Sequence, residues 1–172
     1  LLTGGCRRDG TIPLEHYVEA VREAKRRWDL KFAAHTKLVT RDVAAAAADA
    51  GVDLLMNDLV GEVVSLHNVY HLKKATLRDV ERSLDHGEEH GLPLAPHIMI
   101  GIADGKVVGE RTALEMLRGR QVAALALVVL SPLLNTPMAG TKIDLPMVLD
   151  FLSYARAEFP ETRITLGCAG LS

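Results

Sequence analysis

The sequence predicts an α/β fold, a partial (β/α) TIM-type barrel of about six parallel strands with outer helices, from three observations. Helical and strand periodicities alternate along the chain, and the strands are nearly unbroken apolar runs, the pattern of a parallel sheet buried on both faces. No Asn-Gly or similar hairpin signal turns the chain back between strands. Polar residues also end several different strands: Cys6, Thr36, Asn57 with Asp58, Ser131 and Cys168. A barrel assembles its site in that way, whereas an open doubly wound sheet gathers it at one switch point.

Taken in order, Leu1-Leu2-Thr3 reads as the end of a strand closed by Gly4 and Gly5. Pro13 opens an amphipathic helix over Leu14 to Trp28, with Leu14, Tyr17, Val18, Val21 and Ala24 as its apolar stripe. Leu30 to Thr36 is a strand, and Thr40 caps a helix through the alanine run, which Gly51 ends. Val52 to Met56 is a buried strand, and helices follow over Glu62 to Leu72 and, from a Thr76 cap, Leu77 to His90. Leu94 to Ile102, Ala123 to Leu130 and Arg163 to Leu166 are the remaining strands, with helices over Glu110 to Leu117 and Leu145 to Glu158. Period two along Leu94 to Ile102 turns Pro96, Ile98, Ile100 and Ile102 to the helices, and His97 and Gly101 to the barrel interior.

Composition narrows the partners. The chain has 172 residues, 48% hydrophobic and 24% charged, the profile of one globular domain over residues 1–172. A net charge of -2 and 4% aromatic residues offer neither the basic field nor the stacking surfaces that nucleic acid requires. The longest apolar stretch, Val122 to Leu130, is far below the roughly 20 residues of a membrane-spanning helix, so no membrane partner is expected. Two cysteines and no leader-like N-terminus point to a reducing cytoplasm. The opening on Leu1 inside a strand suggests a fragment, since a barrel takes roughly 250 residues.

The strand ends carry the candidate chemistry. Gly4 and Gly5 let a ligand approach the backbone closely, although a plain tight turn has the same form. Asn57 and Asp58 offer acceptors for ribose hydroxyls or an ammonium group, although Asp58 is equally placed to cap the next helix. His97 can bond a ligand or be a satisfied core histidine. Ser131 closes another strand before the loop through Asn135. His86-Gly87-Glu88-Glu89-His90 satisfies the H-x-x-E-H zinc pattern but precedes a strand, at the stability-associated end, and no metal ligand is assigned.

In this order the motifs resemble the later part of a radical S-adenosylmethionine (radical SAM) enzyme of the biotin synthase and lipoyl synthase-like group. The resemblance rests on Leu2-Thr3-Gly4-Gly5, Asp58-Leu59-Val60-Gly61, Pro96-His97-Ile98-Met99-Ile100-Gly101 with Gly109-Glu110, and Leu166-Gly167-Cys168. It implies a chain running from the second to about the seventh barrel strand, part of a parent that binds S-adenosylmethionine and a [4Fe-4S] cluster. Gly4 and Gly5 would then admit the methionyl group, and Asp58 would meet ribose or substrate. His97 and Gly101 would shape the adenosyl wall, and Ser131 would add a hydrogen bond. Cys6, His35, Asn57 and Cys168 would face the substrate, a small molecule or a carrier-bound group, and the parent would need an electron donor. The family's C-x-x-x-C-x-x-C cluster motif is missing, and Cys6 with Cys168 cannot replace it. A barrel lyase using a Schiff-base lysine, a barrel isomerase and a non-catalytic remnant stand as other readings; no strand has a lysine in its interior.

Overall fold

Two helices start at the caps written in the sequence, Thr40 and Thr76. The computed structural model describes residues 1–5, 7–8 and 11–167; Cys6 and Cys168, both expected to face substrate, lie outside them. After a 3-10 turn, Leu14–Tyr17, come helix α1 (Val18–Arg27), strand β1 (Ala33–Thr36), α2 (Arg41–Asp49), β2 (Leu54–Asn57), α3 (Val63–Asn68) and α4 (Leu77–Glu89). Then follow β3 (His97–Ile100), α5 (Glu110–Glu115), β4 (Leu125–Val129), α6 (Leu145–Glu158) and β5 (Ile164–Leu166). The Thr40 hydroxyl accepts from Val43 N–H at 3.3 Å, and Thr76 with Asp79 forms a reciprocal capping box at the start of α4.

Every ladder between these strands is parallel. β1 pairs with β2, and β3, β4 and β5 form a second sheet in that order. Parallel bridges Leu55–Leu94 and Asp58–His97 join the two sheets, so neighbours in space follow the order of the chain. A doubly wound sheet reverses that order at its switch point; this chain does not, which is the arrangement of a barrel wall.

The described residues give five strands rather than about six, and no closed barrel. The expected first strand is reduced to a bridge between Leu2 and Ala34, with Leu2 N–H bonded to the Ala33 carbonyl at 2.7 Å. Two glycines follow it at once, and glycine supplies no side chain to hold a strand. Leu94 to Ile102 contracts to His97–Ile100 because Pro93 and Pro96 bring no N–H, and because Gly101 turns away at φ +87°. The helix expected over Glu62 to Leu72 stops at Asn68, beyond which Tyr70 N–H bonds the Ser65 carbonyl and His71 takes φ +59°.

Alternation along the strands sorts side chains into two layers. Ala34, Leu55, Ile98 and Ile100 face the helices and are buried among Leu66, Leu84, Leu114 and Phe151. His35, Met56, His97 and Met99 lie on the other face, half-buried along the inner side of the wall. Helices and strands meet closely where Gly61 passes Gly109: a Cβ on Gly61 would collide with the Gly109 carbonyl and with Ala113 N, so the turn after β2 packs against the start of α5.

Candidate functional site

Three successive strands bring His35, Asp58 and His97 together. His35 lies in β1, Asp58 follows β2 by one residue, and His97 opens β3. Parallel pairing sets them level: His35 is opposite Met56, and Asp58 bridges to His97. The His35 Nε2 and Asp58 Oδ1 atoms are 3.0 Å apart, and the His35 and His97 rings are 4.8 Å apart between centroids, tilted by 33°. Donor atoms of all three side chains lie within 4.8 Å of one another. The side chains of His35 and Asp58 keep 30% and 17% of their accessible surface, so the group is reachable yet shielded from bulk water.

The two imidazoles are driven apart in proton affinity. The hydrogen bond to the Asp58 carboxylate raises the His35 pKa, against the opposing effects of burial and the nearby Lys37 charge. Burial, followed by the charge of His35, lowers that of His97. The ring nitrogens of His97 have no hydrogen-bond partner among the described residues. Such a trio can accept and release a proton at His35, accept a bond at His97, and offer a carboxylate to a hydroxyl or ammonium group.

The other expected site residues are placed as follows. Asn57 is buried on the opposite face, where its amide donates to the Ser83 hydroxyl of α4 at 3.2 Å; it does not face the inner side of the wall. Gly101 is buried, and its N–H donates to Glu110 Oε1 at 2.7 Å, while a Cβ there would meet Ile143 Cδ1 at 2.9 Å. It therefore shapes the loop after β3 and has no free N–H for a ligand. Gly4 and Gly5 are exposed just beyond the Leu2 bridge, and Ser131 is exposed beyond β4. The His86 and His90 pair forms no metal centre: His86 Nδ1 bonds the Val39 carbonyl at 2.9 Å, Glu88 pairs with Arg120, and Glu89 with Arg41.

A cleft of about 990 Å³ borders the loop after β1. Arg7, Arg8, Lys37, Lys73, Lys74 and Arg82 line it. The one carboxylate among its described lining residues, Asp79, is spent in the capping box with Thr76. Lys37 Nζ stands 5.2 Å from the centre of the Tyr70 ring. Burial and then the negative charge of Asp58 push the Tyr70 phenol up, which ties this cleft electrostatically to the trio. Neither Tyr70 nor Ser83 is marked by any motif; Tyr70 lies in the turn after α3 and Ser83 in α4, and only the placing of these elements beside the strands brings them in.

No sequence-family model and no curated protein sequence matches the chain. Solved structures do. Methylornithine synthase (PylB) superposes with a TM-score of 0.68 at 17% identity, over 88% of this chain and 45% of that one. A dihydropteroate synthetase with bound product gives a TM-score of 0.50 at 16% identity, over 96% of this chain and 59% of the other. The chain thus spans about half the length of these two solved proteins. At these identities the likeness establishes the fold: parallel strands and outer helices in the manner of a TIM-type barrel wall.

Proposed function

We propose that this chain is the later part of a radical SAM enzyme and forms the wall against which S-adenosylmethionine and the substrate are held. The observation that carries the reading is the ordered set of motifs around Gly4-Gly5, Asp58 and His97, on a fold similar to methylornithine synthase, itself a radical SAM enzyme. Within that class the motifs favour the biotin synthase and lipoyl synthase-like group, with sulfur insertion at an unactivated carbon.

The cluster and the cofactor fit these residues differently. A [4Fe-4S] cluster with one open iron needs three thiolates close together. This sequence has two cysteines, near its opposite ends, so the cluster is assigned to a segment of the parent upstream of Leu1 and no step through it is assigned here. S-adenosylmethionine fits better. When bound, it supplies a 5′-deoxyadenosyl radical for hydrogen abstraction. Gly4 and Gly5 leave open backbone for its methionyl group, since a Cβ at either would meet nothing within 4 Å. Asp58 accepts hydroxyl or ammonium protons from ribose or substrate, and His97 presents a ring with unused nitrogens. Gly101 contributes shape alone, and Ser131 a hydroxyl at the rim. The basic cleft suits an anionic substrate, free or attached to an acidic carrier.

The test uses the chain extended upstream, cluster-loaded, reduced by an electron donor and given S-adenosylmethionine. We expect 5′-deoxyadenosine, with at least a tenfold loss in Asp58→Ala and in Gly5→Val while the cluster spectrum is kept. A cluster-loaded protein that neither binds S-adenosylmethionine nor forms 5′-deoxyadenosine would end this reading and favour a barrel lyase or isomerase.

A further inference from the structure

We infer that His35, Asp58 and His97 form a binding site for one divalent first-row transition metal ion, with open positions for oxygen ligands of the substrate. Two imidazoles and one carboxylate are the donor set that holds zinc, ferrous iron or manganese while leaving coordination positions free. The three donors come from three neighbouring strands, so the backbone that carries them is fixed by the ladders and bridges of the wall. They are already within 4.8 Å of one another. Closing to the roughly 3 Å donor separation that metal–nitrogen bonds of about 2.0–2.1 Å impose requires side-chain rotation.

His97 is the side chain free to make that movement, because it has no hydrogen bond to give up among the described residues. The His35–Asp58 contact of 3.0 Å is already the length of a shared ligand edge. Charge agrees as well: with both imidazoles neutral the trio carries one negative charge, and a divalent ion leaves a net positive centre that attracts a carboxylate, hydroxyl or phosphoryl oxygen. Half-burial on the inner face shields the ion, while Met56 and Met99 on that same face add an apolar surround.

Within the radical SAM reading this gives Asp58 the substrate rather than the ribose as its partner. The inference itself rests on the geometry of the trio and stands apart from that reading. A failure to form 5′-deoxyadenosine leaves it intact, and a failure to bind metal leaves the radical assay untouched.

Cobalt(II) is the probe, titrated into the full chain without a histidine tag, with visible absorption and isothermal calorimetry as readouts. We expect one equivalent bound, with visible d–d bands whose intensity reports nitrogen and oxygen donors at low coordination number. Asp58→Asn and His97→Gln, close to isosteric, should each weaken binding at least tenfold. The double variant His86→Ala/His90→Ala and the double variant Cys6→Ser/Cys168→Ser should leave it unchanged. Zinc should raise the melting temperature of the unsubstituted chain and not that of Asp58→Asn, which keeps the comparison within folded proteins. Absence of stoichiometric binding would overturn the proposal. So would binding that survives the trio variants, or that disappears with the cysteines or with His86 and His90.

Discussion

Ser83 shows how much a single side chain holds in place. Its hydroxyl accepts from Val39 N–H at 2.6 Å and from the Asn57 amide at 3.2 Å, and the residue is 2% exposed. Removing it strands two buried donors, and each lost partner costs about 1–3 kcal/mol. Ser83→Ala should therefore destabilise the chain by roughly 2–4 kcal/mol in urea unfolding, whereas a conventional surface serine would change it by less than about 0.5 kcal/mol. Asn57 and Asp58 illustrate what the sequence does and does not disclose. Their position at a strand end was legible, but adjacent strand residues point to opposite faces, and which one looks inward depends on how the strand is seated. Asp58 and His97 were legible as separate site residues; their convergence with His35 was not, because it arises from strand register, a long-range property. Glu110, 4% exposed, is legible only as half of a Gly-Glu pair, although both its oxygens bind loop N–H groups, of Gly101 and Val108.

At the scale of elements, the two ends of the wall do different work. Asp53 lies just before β2, at the end opposite the trio, and joins three elements: its carboxylate accepts from Lys25 of α1 at 2.6 Å, from Phe32 N–H before β1 at 2.8 Å, and from Lys31 at 3.3 Å. These contacts, Lys25 foremost, pull its pKa from the usual 3.8 down to about 2. A carboxyl depressed by folding stabilises the protein fully above its unfolded pKa and loses that contribution as the pH falls through its folded value. Stability at this joint should hold at neutral pH and decline between pH 4 and 2, and Asp53→Asn should flatten that part of the curve. At pH 7 the same variant should cost about 1 kcal/mol, since the carboxylate is partly solvated and its ion pairs are screened. The starts of α2 and α4 were legible because Thr40 and Thr76 act locally. Strand lengths were not, because a strand extends only as far as its neighbour offers partners.

On the scale of the whole molecule, the order of strands distinguishes a barrel wall from a doubly wound sheet, and the spread of polar residues over the ends of several strands points the same way. What the sequence concealed is that the wall is made of two sheets joined at a seam. Only three backbone hydrogen bonds are described across it: Leu55 N–H to Pro93, Ala95 N–H to Leu55, and Leu59 N–H to His97. His35 and Asp58 stand on one side of this seam and His97 on the other. Any ligand gripping all three is thus a strut between two bodies, and thermodynamic reciprocity makes the seam part of its affinity. Whatever loosens the seam must weaken the grip by the same free energy with which the grip tightens the seam. Amide hydrogen exchange can read that energy directly: Leu59 and Ala95 should exchange more slowly when zinc is bound, while the amides within the β4–β5 ladder stay as they were. Equal slowing in both places would mean that the ion stabilises the fold as a whole; slowing confined to the seam would mean that the site acts as its latch.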